Sequence, residues 1–142
     1  MKVGAIIRAF TCVLAASFPL MAFAGPAPDA DNDTVPDVVD NCSMELGNGS
    51  PEGNKACQTD DDQDGYGNLC DADTNNNNVE NAADAGGFSA SLTAGTGVGD
   101  MNCNGVANAA DAGQFVFRLG GGGGGGVPGP SGLSCAGTVP CN

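Results

Sequence analysis

Residues 60–71 read DDDQDGYGNLCD, residues 73–84 read DTNNNNVENAAD and residues 100–111 read DMNCNGVANAAD. The three segments share a twelve-residue frame, which has oxygen-bearing side chains at positions 1, 3 and 5 and a carboxylate at position 12. Calcium takes about six to eight oxygen ligands, several of them charged, from a backbone that turns tightly around the ion. That turn needs a positive φ at position 6, where Gly65 and Gly105 stand. The sequence therefore predicts a series of calcium-binding loops.

The frame occurs once more, and its copies differ in quality. Residues 29–40 (DADNDTVPDVVD) form a weaker loop, in which Thr34 stands at position 6 and should strain the turn. We number the loops 1 to 4 in chain order. In loop 3 position 6 is Asn78, the best substitute for glycine at positive φ. All four loops end in Asp, whereas the consensus residue is Glu. Whether loops 1 and 3 bind metal stays open.

The predicted calcium ligands are the side chains at positions 1, 3, 5 and 12, the side chain at position 9 where it is polar, and the backbone carbonyl at position 7. They are, in chain order, Asp29, Asp31, Asp33, Asp37, Asp40, Asp60, Asp62, Asp64, Tyr66, Asn68, Asp71, Asp73, Asn75, Asn77, Val79, Asn81, Asp84, Asp100, Asn102, Asn104, Val106, Asn108 and Asp111. We expect about three or four bound ions. Because position 5 is Asn in loops 3 and 4, the affinity there should be weak, at about 10⁻⁴ M.

Residues 1–24 are predicted to be a secretory signal peptide. Lys2 and Arg8 precede an apolar run, and AFA at residues 22–24 is a cleavage site of small residues. No other segment approaches the roughly 20 apolar residues of a membrane span. We therefore expect a secreted, extracellular protein that is cleaved after Ala24.

The mature chain is strongly acidic. It keeps all 17 acidic residues and only Lys55 and Arg118 among the basic ones, so its net charge is −15. Such a charge argues against nucleic acid and anionic membranes as partners. A disordered acidic chain is the alternative interpretation. Against it, the Asp residues alternate with Asn and Gly at fixed offsets. Large apolar residues are scarce and Trp is absent, so the fold should need metal or disulfide staples.

Two segments of the first half carry a family resemblance. Residues 29–42 (DADNDTVPDVVDNC) and 58–73 (QTDDDQDGYGNLCDAD) contain D-x-D-x-D-G, D-N-C and C-D-x-D elements in order. Residues 25–72 thereby resemble a thrombospondin type 3 repeat. The resemblance implies a chain with little regular structure that wraps around a row of calcium ions, with a Cys42–Cys70 disulfide. The loop between these cysteines is longer than usual and contains Cys57, which could compete for either partner.

Residues 73–120 form a tandem repeat. Loop 3 continues as NAADAGGFSASL (81–92) and loop 4 as NAADAGQFVFRL (108–119), each with Phe and Leu four residues apart. This spacing predicts two short helices with apolar faces that pack against each other as core. The unit is similar to the dockerin domain, whose loops read D-x-N-x-D-G-x-x-N-x-x-D. The resemblance implies an EF-hand-like loop–helix fold that docks another extracellular protein, although the hydroxyl and basic contact pattern of that family is missing here except for Arg118.

Residues 121–142 are predicted to be a glycine-rich linker and a tail that contains cysteine. Six cysteines follow the signal peptide, and an even number in an exported chain favours disulfides. Each half holds three of them, so at least one bridge should join the halves if all pair within the chain. Cys135 and Cys141 either close a local ring, or one of them pairs with Cys103, which is our guess for the bridge that crosses. The lack of histidine and of CxxC pairs argues against zinc, haem and iron–sulfur sites.

The expected fold is mostly irregular and stabilised by calcium and disulfides, with thrombospondin type 3-like loops followed by two loop–helix units. We expect no enzyme, because the sequence has no histidine, no G-x-S-x-G and no phosphate-binding loop. The most plausible function is that of a secreted calcium-binding structural or adhesion protein. The alternatives are a dockerin-type docking module and a self-assembling subunit of an extracellular filament or matrix. The partner is then another extracellular protein or further copies of the chain.

Overall fold

The computed structural model describes residues 26–43, 53, 55–122 and 126–141. In these residues the only α-helices are α1 (Ala85–Ala94) and α2 (Ala112–Leu119), and there is no β-strand. Three 3₁₀ turns accompany them, at Asp37–Val39, Asn68–Cys70 and Ala82–Asp84. The expectation of a mostly irregular, disulfide-stabilised chain is confirmed. The predicted signal peptide lies outside the described residues, as do most of the Gly- and Pro-rich segment after Ser43 and part of the glycine run.

The repeated N-A-A-D sequence forms a hydrogen-bonded turn directly before each helix. Before α1, Asn81 Oδ1 accepts from the N–H of Ala83 at 2.8 Å, and Asp84 Oδ2 accepts from the N–H of Asn81 at 2.8 Å. Before α2, Asn108 and Asp111 make the equivalent bonds at 2.9 and 2.8 Å. These reciprocal bonds satisfy backbone donors that have no partner inside the helix. The Asp at position 12 of loops 3 and 4 thus also lies directly before the following helix.

The apolar faces of α1 and α2 pack together. Phe88 and Phe115 are buried, and they form a cluster with Ala72 and Met101 that also takes in Leu92, Ala112 and Leu119. The sequence prediction that the Phe and Leu residues form core is confirmed. Because this cluster is small, packing alone leaves little stabilisation for the loops.

Three disulfides join the described cysteines as Cys42–Cys70, Cys57–Cys103 and Cys135–Cys141. The first is the pairing that the thrombospondin type 3 resemblance implies, and Cys57 does not compete for it. The guess that Cys103 pairs with the tail is wrong. Cys103 instead packs against the buried cluster of Cys42, Cys57, Leu69 and Cys70, which brings it to Cys57. This bridge is the one that joins the two halves of the chain.

Residues 126–141, here called the C-terminal strap, lie across loops 1 and 2. The backbone N–H groups of Gly129, Gly132, Gly137 and Cys141 donate to the carbonyl oxygens of Cys70, Asp40, Asp64 and Gln63, at 3.0, 2.8, 2.8 and 2.7 Å. The strap also approaches loop 2 so closely that a Cβ on Gly65 would lie 2.5 Å from the Sγ of Cys141 and 2.8 Å from the Cα of Ala136. The strap is therefore an integral part of the fold around the loops.

Candidate metal centres

The first Asp of every loop organises the turn that follows it. Its two carboxylate oxygens accept from the backbone N–H groups at positions 5 and 6. The bonds run from Asp33 and Thr34 to Asp29 (3.2 and 3.1 Å), from Asp64 and Gly65 to Asp60 (3.3 and 2.9 Å), from Asn77 (3.1 Å) and Asn78 to Asp73, and from Asn104 and Gly105 to Asp100 (3.1 and 2.8 Å). Because the same bonds recur four times, all four loops share one backbone path.

That path requires left-handed backbone at two positions. At position 6, φ is 85° for Thr34, 89° for Gly65, 63° for Asn78 and 88° for Gly105. The predicted positive φ at this position is therefore confirmed in every loop, including the one that carries a β-branched residue. At position 4, φ is 59°, 61°, 56° and 55° for Asn32, Gln63, Asn76 and Cys103, which the sequence analysis did not predict.

The turn brings the first three acidic side chains of loops 1 and 2 together. One carboxylate oxygen from each of Asp29, Asp31 and Asp33 lies within 4.8 Å of the others, and the same holds for Asp60, Asp62 and Asp64. Ligand oxygens about 2.4 Å from a calcium ion cannot be more than about 4.8 Å apart, so both groups have the spacing of a metal-binding site. These two groups of three carboxylates could each hold a metal ion.

Three of the predicted ligands carry a buried oxygen without a hydrogen-bond partner. They are Oδ2 of Asp33, Oδ2 of Asp40 and Oδ1 of Asn102, on residues that are 7 %, 0 % and 7 % exposed. A buried polar atom that lacks a partner is unfavourable, because it has lost its water and gained nothing in exchange. One cation bound in loop 1 would satisfy the oxygens of Asp33 and Asp40, and another bound in loop 4 would satisfy the oxygen of Asn102. The residues present therefore fit the predicted ions.

The carboxylate at position 12 is held in two different ways. In loops 3 and 4 it bridges its own loop: Asp84 accepts from the side chain of Asn75 at 2.6 Å, and Asp111 from the backbone N–H of Asn102 at 2.9 Å. These bonds bring position 12 to position 3. In loops 1 and 2 the carboxylates of Asp40 and Asp71 instead accept from the N–H two residues later, at 2.9 and 2.7 Å. The first pair of loops and the second pair are thus built differently at their ends.

Burial and mutual repulsion disfavour the charged form of these carboxylates. Burial, with the charge of Asp33, raises the pKa of Asp31 to about 6. Burial, with the charge of Asp64, raises the pKa of Asp62 to about 7 and that of Asp71 to about 9. The pKa of Asp64 is raised to about 6, again mainly by burial. A cation bound beside these carboxylates would favour their charged form.

The side chains at position 9 are already engaged in hydrogen bonds. Asp37 accepts from the N–H of Ala30 at 2.7 Å, and Asn68 exchanges two bonds with Asp61 at 3.1 and 2.8 Å. In loops 3 and 4 the position 9 side chain donates to the position 7 carbonyl, at 3.1 Å to Val79 and 2.8 Å to Val106. Position 9 therefore shapes the loop in all four copies.

One buried ion pair was not anticipated from the sequence. Arg118 in α2 and Glu80 in loop 3 are 0 % and 3 % exposed, and Arg118 Nη2 lies 2.8 Å from Glu80 Oε1. In the sequence Glu80 stands only as an acidic residue between the predicted ligands Val79 and Asn81. Arg118 gave no signal, because arginine is rarely fully buried unless it is paired.

No protein-family model matches this chain, and comparison with curated proteins and with solved structures finds no match either. None of the described helices has the length and apolar character needed to cross a membrane.

Proposed function

We propose that this chain is a secreted, non-enzymatic protein that binds about three or four calcium ions and serves a structural or adhesive role outside the cell. The observation that carries the proposal is the convergence of carboxylate oxygens in loops 1 and 2, where each group of three lies within 4.8 Å. The unpartnered buried oxygens of Asp33, Asp40 and Asn102 extend the same argument to position 12 and to loop 4.

The ligand chemistry favours calcium over other metals. The candidate ligands are carboxylate, amide and carbonyl oxygens, which suit calcium and magnesium. Histidine is absent from the sequence and the six cysteines after the predicted signal peptide are paired in disulfides, so the nitrogen and thiolate ligands that zinc prefers are missing. Magnesium is smaller and usually keeps several waters, whereas these loops supply up to six ligands each.

The balance of charge and core size supports a structural role for the ions. The mature chain has a net charge of −15, and many of its acidic residues are buried in the loops. Without cations, repulsion between these carboxylates opposes folding, and the small cluster around Phe88 and Phe115 offers limited compensation. Calcium would therefore supply much of the folding free energy, as metals do in other small metal-dependent domains.

The proposed location outside the cell agrees with the disulfides and with the ligand charge. Three disulfides persist in oxidising compartments and are rare in the cytosol. Loops with few charged ligands, such as loops 3 and 4, bind calcium at about 10⁻⁴ to 10⁻³ M, a range suited to extracellular modules.

Calorimetric titration of the metal-stripped, oxidised mature chain with calcium tests the proposal, followed by circular dichroism. We expect uptake of about three or four ions together with a gain of ordered structure. Magnesium serves as the control ion and should bind more weakly. No uptake at millimolar calcium would overturn the proposal and favour the disordered acidic interpretation.

A second candidate is docking of a protein partner on α2. Val116 favours it, because this apolar side chain is 65 % exposed on a helix whose opposite face is buried. Size-exclusion chromatography with and without calcium separates self-association from a monomeric form. A calcium-dependent increase in size that Val116→Ser abolishes would support self-association through this helix, and a monomer under both conditions would leave a different protein as the partner.

A further inference from the structure

The Glu80–Arg118 pair is a junction of several segments. Glu80 Oε1 accepts from Arg118 Nε at 3.0 Å, from Arg118 Nη2 at 2.8 Å and from the backbone N–H of Ala72 at 2.9 Å. Ala72 lies between Asp71, the last residue of loop 2, and Asp73, the first residue of loop 3. A single carboxylate oxygen therefore ties α2 to the junction between two metal loops.

Each member of the pair belongs to a different loop. Glu80 stands at position 8 of loop 3, directly between the predicted ligands Val79 and Asn81. Arg118 lies in the last turn of α2, the helix that begins right after Asp111 of loop 4. The position of Arg118 is thus set by the order of loop 4 and its helix, while the position of Glu80 is set by loop 3.

The same two residues hold the start of the C-terminal strap. Arg118 Nη2 donates to the carbonyl oxygens of Val127 and Gly129 at 2.9 and 3.3 Å, and the backbone N–H of Glu80 donates to the carbonyl of Gly126 at 2.9 Å. From there the strap continues to its backbone bonds with loops 1 and 2. The pair therefore stands between loops 3 and 4 on one side and the strap on the other.

We propose that the Glu80–Arg118 ion pair is a positioning element that couples ion binding at loop 3 to ion binding at loop 4 and seats the C-terminal strap. The inference rests on the proposed function and deepens it. Two buried charges are tolerated only together, because either one alone is a desolvated charge without a partner. When an ion orders loop 4, α2 and its Arg118 take up their positions. Glu80 can pair with Arg118 in the interior only if loop 3 is ordered as well.

The coupling must act in both directions. An ion in loop 3 that helps an ion to bind in loop 4 is itself helped by that ion to the same degree. The Phe88–Phe115 stack also joins the two helices, yet an apolar contact tolerates sliding and repacking. In the ion pair, by contrast, Glu80 Oε1 accepts from three N–H donors at once, which requires one relative arrangement of the groups that carry them. The ion pair is therefore the contact that depends most strongly on both loops being ordered at the same time.

The test compares the oxidised mature protein with its Glu80→Gln, Arg118→Met and double variants. Calcium titration gives the number of ions and the cooperativity, and hydrogen exchange gives the protection of residues 126–141 at saturating calcium. We expect an unchanged number of ions, a loss of cooperativity that weakens the later-filling sites by about tenfold, and faster exchange in the strap. The double variant should lose no more than the worse single variant, since both remove one interaction.

Ala90→Glu is the matched control, because it changes the net charge by the same unit as Arg118→Met at an exposed site on α1. The proposal is overturned if the two pair variants match this control in cooperativity and strap exchange. It is also overturned if the two single effects add in the double variant. If Arg118→Met does not fold, Glu80→Gln carries the test, because its amide oxygen can still accept from Ala72.

A failure of the proposed function is distinguishable from a failure of the coupling. If the unaltered protein takes up no calcium, the proposed function is wrong, and the titrations of the variants carry no meaning. If it takes up several ions and the variants take them up with unchanged cooperativity, calcium binding stands and the coupling is wrong. Hydrogen exchange in the strap does not require the bound ions to be counted, and it reports directly on whether the pair holds the strap in place.

Discussion

The rings of Phe88 and Phe115 are stacked, with centroids 4.1 Å apart and planes inclined by 5°. The two residues occupy the same place in the two copies of the N-A-A-D repeat, one on the helix that follows loop 3 and the other on the helix that follows loop 4. The two copies of the repeat therefore pack against each other through equivalent residues. This contact joins the two helices that follow loops 3 and 4.

Removal of one ring should destabilise the protein strongly. We expect Phe115→Ala to lower the free energy of unfolding by about 3 to 5 kcal/mol, because it leaves a cavity in a small core. Chemical denaturation in saturating calcium measures the change. Val116→Ala, at an exposed neighbour on the same helix, should change stability by less than about 0.5 kcal/mol. Equal effects of the two substitutions would contradict the packing described here.

Loss of the first carboxylate of loop 4 should abolish one metal site. Asp100→Ala removes the acceptor of two turn N–H groups together with a predicted ligand, so we expect one ion fewer and faster amide exchange in α2. Calorimetric titration counts the ions. Glu52→Ala is the control, since Glu52 carries the same charge and lies outside the four ligand frames. An unchanged ion count in Asp100→Ala would show that the frame is drawn wrongly.

Alanine substitutions at two equivalent glycines distinguish the effect of backbone strain from the effect of contact with the strap. Gly65 and Gly105 both stand at position 6, with φ of 89° and 88°, and an alanine at either site should cost about 1 to 2 kcal/mol. A Cβ on Gly105 meets open space, whereas one on Gly65 collides with Cys141 and Ala136. We therefore expect only Gly65→Ala to increase hydrogen exchange in residues 126–141. Equal exchange in both variants would mean that the strap does not rest on loop 2.

The two disulfides that the resemblance does not imply should differ in their effect on stability. Cys57–Cys103 spans 46 residues and Cys135–Cys141 spans 6. In the chain-entropy model their loss costs about 4 and about 2 kcal/mol, since a longer closed loop constrains the unfolded chain more. Denaturation of the two Cys→Ser double variants tests this order. The reverse order would show that the bridge between the halves adds little restraint.

The metal-free protein should become less ordered as the pH rises. Asp31, Asp62 and Asp64 have folded-state pKa values of about 6, 7 and 6, above the unfolded value of 3.8. Between these values the folded state binds more protons than the unfolded state, so stability falls with increasing pH. Calcium needs the deprotonated carboxylates, so in its presence order should instead increase with pH. Circular dichroism at about pH 5 and about pH 8, with calcium or a chelator, checks both directions, and parallel trends would contradict the account.

The loops could be predicted from the sequence because their chemistry depends on side chains at fixed positions. Oxygen-bearing residues at fixed offsets and a residue tolerant of positive φ at position 6 leave a direct pattern. The positive φ at position 4 leaves none, since Asn32, Gln63, Asn76 and Cys103 have little in common. The hydrogen bonds that the first Asp of each loop accepts impose the turn at position 4. The residue at that position therefore adopts a positive φ whatever its own preference.

The strap and the buried pair could not be predicted, for physical reasons. The strap is held mainly by backbone N–H groups, four of which come from glycine and cysteine and carry no apolar periodicity. The observed set of three disulfides, which includes Cys57–Cys103, was one of 15 possible connectivities. Arg118 looked like a surface residue at the end of a helix, and its burial becomes understandable only once Glu80 and the carbonyls of the strap are seen around it.

The strap also sets a time order for folding. Ser131 contacts the carbonyl of Asp40, a residue 91 positions earlier in the chain, at 3.5 Å. Loops 1 and 2 are therefore synthesised long before the strap, and their surroundings are complete only when residues 126–141 have been added. Completion of the fold around loops 1 and 2 therefore depends on a segment that is synthesised well after the loops themselves.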